Sequence, residues 1–331
     1  MARLLLRNSL TSLAILLAAN VSHAQPNPVL VLNSRNADVS VIDPVSWQEI
    51  ERVPVGKEPH HLYLSPDEKS VLVANAAGNS ITFLDPRSGK IQRTLYGILD
   101  PYHLRFSPDM KWFVTAANRL NHIDIYRWNG VDADKPVEIV KRIPAAKTPS
   151  HINIDSRSRT AYVSLQDSDE IIAIDLATQQ PKWRINTGDM PADIFLLPDD
   201  KTLLTGLTGE DNVQVFDVST NPPRELKRIK TGKGAHAFRA QGDGRHVLVS
   251  NRTGNTISQI DLDTLSVVKT IPAASGPDCM EMLADGKTLL VTTRWSGELT
   301  VIDLATGQVK KKVRVGKSPH GVWTLNHAPR L

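Results

Sequence analysis

At 331 residues the chain is long enough to bury a large core without covalent help, and its single cysteine, Cys279, excludes an intramolecular disulfide. Its formal charge of +4 includes Arg3 and Arg7; without residues 1–24, 37 basic residues face 35 acidic ones, a balance that argues against bulk attraction to nucleic acid or membrane.

The first element is a secretory leader over residues 1–24. Arg3 and Arg7 make a basic start, an apolar run extends from Leu10 to Ala19, and Ser22-His23-Ala24 offers small residues for cleavage. The run is too short for a comfortable membrane span, and every later apolar run is shorter still. The expected product is an exported protein, periplasmic or secreted, made of residues 25–331 as one domain with no membrane span.

That domain repeats. A proline followed by polar residues recurs at Pro59, Pro101, Pro149, Pro191, Pro277 and Pro319, with Ala235 standing in once, at intervals of 42, 48, 42, 44, 42 and 42 residues. In the clearest unit, residues 61–65 alternate as a short strand and Ser65-Pro66-Asp67-Glu68-Lys69 turns. Three further strands are predicted at Ser70–Asn75, Ser80–Asp85 and Lys90–Leu95. Four short antiparallel strands per period of this size describe a propeller blade.

The third strand of most units ends in aspartate: Asp43, Asp85, Asp175, Asp217, Asp261 and Asp303. The unit after residue 100 has Arg127 there and inserts Trp128 to Pro136, which accounts for the interval of 48. The mature chain begins at a second strand, Val29–Leu32, and ends in a first strand after Pro319. These fragments complete each other. The prediction is an all-β, seven-bladed propeller of four-stranded antiparallel blades, closed by the C-terminal strand joining the N-terminal blade.

The two residues after each motif proline form two columns at one mouth of the central channel. The first reads His60, Tyr102, Ser150, Ala192, His236, Asp278, His320; the second His61, His103, His151, Asp193, Ala237, Cys279, Gly321. Six of the ten histidines fall in these fourteen positions. Loops between second and third strands add Arg35, Arg119, Arg252 and Arg294 on the same face, with Trp295 beside the last.

Several segments resemble the YVTN family of β-propellers: Gly56-Lys-Glu-Pro-His60, Ser65-Pro-Asp67, Val71-Leu-Val-Ala-Asn75, Asn79-Ser-Ile-Thr-Phe-Leu-Asp85, Asn251-Arg-Thr-Gly-Asn-Thr-Ile257 and Gly316-Lys-Ser-Pro-His-Gly321. The resemblance covers the mature chain and implies the propeller fold. Its relatives include exported and surface-layer proteins, a DNA-binding periplasmic propeller and, more distantly, the haem d1-binding propeller of cytochrome cd1 nitrite reductase and its maturation partners. Some are labelled lactonase-like by fold analogy, which carries no function. The family's first column commonly holds histidine, so His60, His236 and His320 are either ligands or ordinary residues bonded to a neighbouring blade. Its second column usually holds glycine or a small apolar residue, which sets His61, His103 and His151 apart.

Three functions are weighed. The first is non-enzymatic binding of a small anionic ligand or another periplasmic protein at the mouth formed by His60, His61, Tyr102, His103, His151, His236, Asp278, Cys279, His320 and the four arginines, by a monomer. The second is an accessory role with a transition metal, held by His61, His103 and His151, or with a haem-type tetrapyrrole, imidazole meeting iron and arginine meeting propionate. The third is a lactonase-like hydrolase using His103 or His151 with Arg119. Gly206-Leu-Thr-Gly209 lacks a serine elbow and no dinucleotide fingerprint is present. Nucleic acid is disfavoured, because only Trp295 and Tyr102 are offered for stacking.

Overall fold

Twenty-eight strands fall into seven four-stranded antiparallel sheets, as described by a computed structural model for residues 26–330. The leader lies outside the described residues. Each blade begins with an inner strand at the motif position: Pro59–Leu64, Pro101–Phe106, Pro149–Ile154, Pro191–Leu196, Ala235–Ala240, Pro277–Met282 and Pro319–Thr324. These strands start at the proline itself, two residues earlier than alternation alone predicts. The last of them pairs antiparallel with Val29–Asn33, opposing Val29 to Thr324 and Leu30 to Trp323, and closes the ring. Among the described residues no helix is long and apolar enough to cross a membrane.

The core is a ring of seven clusters, each shared by adjacent blades. Val114, Ile123 and Ile125 pack on Ile152, Val163 and Ile172, for example, while Leu30, Val41 and Trp323 pack on Leu62 and Val71. Every blade therefore depends on both neighbours, as the repeat length implies.

The turn chemistry explains the outer parts of the repeat. Asp43 Oδ1 accepts from the amides of Val45 and Ser46, and Asp85, Asp175 and Asp261 cap their turns in the same way. With Arg127 in that position the third strand runs on through Trp128 and the fourth begins only at Val137.

The inner motif is equally constrained. The residue before each motif proline, or before Ala235, has a left-handed backbone: Glu58, Asp100, Thr148, Met190, Gly234, Gly276 and Ser318. At the closure, Gly316 donates its amide to Asn33 Oδ1 at 2.9 Å, and Asn33 Nδ2 donates to Ser40 Oγ at 2.8 Å. A Cβ on Gly316 would lie 2.5 Å from Asn33 Cγ. Gly316→Ala is therefore expected to destabilise the ring by about 1–3 kcal/mol through overpacking, read as a lower urea midpoint with an unchanged slope.

Candidate functional site at the channel mouth

A regular strand would send successive side chains to opposite faces. Here both motif columns face the channel, because every inner strand carries a bulge directly after its first residue. In one blade Pro59 opposes Asn75 and Leu62 opposes Val73, so His60 and His61 together oppose Ala74 alone. The same shift recurs in all the other six blades. The columns form two stacked rings.

The rings bring the histidines into contact. His60 stacks between Tyr102 and His320, with ring centres at 3.9 and 3.6 Å. One layer along, His61, His103 and His151 form a triangle with centres 4.4, 5.0 and 5.0 Å apart. All six channel imidazoles are buried. Three groups place their ligating atoms within 4.8 Å of one another: His61, His103 and His151; His60, His61 and His320; and Asp278, Cys279 and His320.

The hydrogen bonds separate structural imidazoles from open ones. His320 Nδ1 donates to the His60 carbonyl at 2.8 Å across the blade boundary. Arg252 Nη2 lies 2.6 Å from both His236 Nε2 and Asp278 Oδ1, which places the His236 proton on Nδ1, itself 3.1 Å from that carboxylate. His236 is thus an ordinary inter-blade residue in its bonding. His60 Nδ1, His61 Nε2, His103 Nδ1 and His151 Nε2 are buried and have no partner among the described residues; His236 Nδ1 and His320 Nε2 also lack a well-aligned hydrogen bond, but they face the Asp278 carboxylate at 3.1 and 3.6 Å. His151 is oriented by Ser150 Oγ, 3.0 Å from its Nδ1.

Burial dominates the electrostatics. It depresses the pKa of His103 and His320 to about 3 and pushes His60, His61, His151 and His236 down as well. Neighbouring imidazoles and arginines reinforce the effect, so the cluster is neutral at physiological pH. Burial alone would raise Asp278, but Arg252, His320 and His236 outweigh it and hold this carboxyl well below its usual range. Burial lifts Tyr102 to about 12, and burial with Asp278 pushes the half-buried Cys279 thiol well up.

The arginines divide. Arg252 and Arg294 reach the rings, where both contact Asp278, the latter at 3.3 Å. Arg119 is held at the rim by Glu58 and by Asp100 at 2.6 Å, not by His103 or His151. Arg35 joins Arg294 and Trp295 in an open groove of about 450 Å³ that contains none of the channel histidines. The fourteen motif positions therefore form the channel lining, whereas Arg35 and Arg119 stand outside it.

One further ring was not picked out from the sequence. The fourth residue after the motif position gives Tyr63, Arg105, Asn153, Phe195, Arg239, Glu281 and Trp323. The signal was present as a third column two residues beyond the second. Behind it, Asn326 to Arg330 cross the opposite side, with the Ala328 amide donating to the Met282 carbonyl at 2.8 Å.

The chain is a member of the YNCE-like β-propeller family, whose model matches residues 2–330. Among solved structures it is similar to the dihydro-haem d1 dehydrogenase NirN, with 18% identity over 91% of this chain and 75% of that one, at a TM-score of 0.67. The periplasmic gluconolactonase PpgL of Pseudomonas aeruginosa gives 20% identity over 92% and 99%, at 0.75. A functionally unknown protein from Desulfotomaculum acetoxidans gives 14% over 90% and 98%, at 0.76. At such identities the likeness is one of fold. No curated protein matches the chain.

The depressed histidines fix a pH dependence. Their folded pKa values lie below the unfolded value near 6.5, so the unfolded chain binds the extra protons. Stability is complete above about pH 6.5 and falls with acid until the folded pKa is reached. The expected loss between pH 6.5 and 5 is about 1–2 kcal/mol for each of His103 and His320, and the other channel histidines act in the same direction. Asp278 acts in the same direction at lower pH. Urea titrations across pH 4–8 check this, and a flat profile contradicts the burial of neutral imidazoles.

Proposed function

We propose that this protein is an exported propeller that binds a transition-metal ion through His61, His103 and His151. The observation that supports this most is three neutral, buried imidazoles from consecutive blades, each with a nitrogen that has no partner, and with ligating atoms within 4.8 Å of one another. Rotations that close the triangle to edges of roughly 3.3 Å bring all three nitrogens to about 2.0–2.1 Å from a central ion. Three imidazoles suit zinc or copper, and the tether from Ser150 to His151 supplies the outer-shell orientation that such ligands need.

Size separates an ion from a macrocycle. The cavity at the triad is about 80 Å³, whereas sites for drug-sized ligands run to roughly 300–1,000 Å³. The residues that a tetrapyrrole would use are also divided, imidazoles inside and Arg35 outside in the groove. An anionic ligand at the rings gains less than the sequence suggests, since Arg252 and Arg294 already share Asp278. Lactone hydrolysis has weaker support, because Arg119 is remote from the histidine bases and the channel carboxylate is engaged. Export is carried by the leader, in keeping with the periplasmic location in the name of one similar structure.

Protein purified from a periplasmic fraction is expected to contain near-stoichiometric zinc or copper, and stripped protein to give cobalt d–d bands on titration with Co²⁺. Replacing His61, His103 and His151 together by alanine should abolish both while keeping a cooperative melt. Protein that gives no cobalt bands and takes up no zinc or copper would sink the metal reading. A haem absorption band gained on titration, and lost in the same variant, would transfer the site to a tetrapyrrole.

A further inference from the structure

The opposite end of the channel opens into a cavity of about 230 Å³, lined in part by the third ring. Its charges do not cancel locally. Arg239 donates to Glu281 at 2.6 Å and to the carbonyls of Ala240, Ala328 and Pro329, which takes four of its five N–H groups. Arg330 donates to the other oxygen of Glu281. Asp193 accepts from the amides of Ile194 and Phe238, both at 2.8 Å.

Arg105 is left over. Its Nε donates to the Ile152 carbonyl at 2.9 Å, and its guanidinium lies 4.3 Å from the centre of the Tyr63 ring, which fixes its plane. Among the described residues neither terminal nitrogen has a hydrogen-bond partner, and no carboxylate comes within ion-pair distance. Desolvation presses its pKa down to about 10, with Asp193 offsetting part of the effect from beyond ion-pair distance, so it remains a cation with no carboxylate in contact. Beside it, Phe195 and Phe238 present an apolar wall with ring centres 5.9 Å apart.

We propose that this cavity is a binding site for a small monocarboxylate with an apolar body, the carboxylate bridging the two terminal nitrogens of Arg105 and the body lying on Phe195 and Phe238. A planar fork against a planar carboxylate is the pairing that guanidinium geometry favours. Asp193 and Asp200 line the same cavity and oppose a second negative charge, which selects a monoanion over a phosphate dianion. The volume admits a small molecule only. The site uses none of the channel histidines, and stands whether or not they hold a metal.

Benzoate, its neutral isostere benzamide and the dianion phenyl phosphate serve as probes by titration calorimetry and ligand-observed NMR. Benzoate is expected to bind saturably at millimolar concentration or below, with benzamide and phenyl phosphate weaker by roughly tenfold or more. Arg105→Gln should remove the preference for benzoate over benzamide, Arg105→Lys should retain part of it, and alanines at His61, His103 and His151 should leave it unchanged. No saturable benzoate binding, equal affinity for benzoate and benzamide, or an undiminished preference in folded Arg105→Gln protein would each overturn the proposal. The comparison of the probes on the unmodified chain decides the matter even where a variant fails to fold.

Discussion

The bulge after each motif position is the constraint on which the site depends. One extra residue per inner strand turns two consecutive side chains toward the channel, and the seven-fold ring doubles the lining from seven residues to fourteen. Without it, alternation would bury either His60 or His61 between blades, and the triangle of His61, His103 and His151 could not form. The left-handed residue before each motif proline delivers the chain into that bulge in every blade, glycine serving at Gly234 and Gly276 and other residues elsewhere. The repetition shows that this backbone belongs to the blade as such. What differs between blades is only the pair of side chains it presents.

Charge within the rings is settled by one carboxylate. Asp278 sits with two guanidinium groups and two imidazoles around it and remains ionised although buried, since removing its charge would strand Arg252 and Arg294. The channel is thereby divided. In the arc around Asp278 the imidazoles and guanidinium groups share a carboxylate, whereas His61 Nε2, His103 Nδ1 and His151 Nε2 have neither a hydrogen bond nor a carboxylate within ion-pair distance among the described residues. Unpartnered buried nitrogens are costly, so three that also lack a neighbouring carboxylate are the feature that supports the proposed ion.

The blade count and the closure were legible because each rests on local chemistry repeated in register: a proline, an aspartate-capped turn, a β-branched run. Gathering the histidines was legible for the same reason, once copies of the motif were aligned. The arginines were misjudged as a group because their partners come from elsewhere in the ring. Arg119 meets Glu58 and Asp100, and Arg252 meets Asp278, and no spacing within one repeat announces such pairs. Arg105 escaped notice for a related reason. Its column holds seven unlike residues, so it shows no compositional bias, and its lack of a partner emerges only when Arg239, Arg330 and Glu281 are seen to satisfy one another.

The two ends of the channel thus apply one scaffold to opposite electrostatic ends. Desolvation acts on both. On the imidazoles it favours the neutral form, which is the form that ligates a cation. On the partly buried Arg105 it acts against a charge that the guanidinium cannot readily lose, so an anion there is favoured. Burial without a partner therefore has a different meaning for each side-chain type, and the third ring converts the same geometry that exposes lone pairs at one mouth into a demand for negative charge at the other. The small cavity that touches His61, His103 and His151 also touches Arg105 and Asp193, so the two environments are continuous.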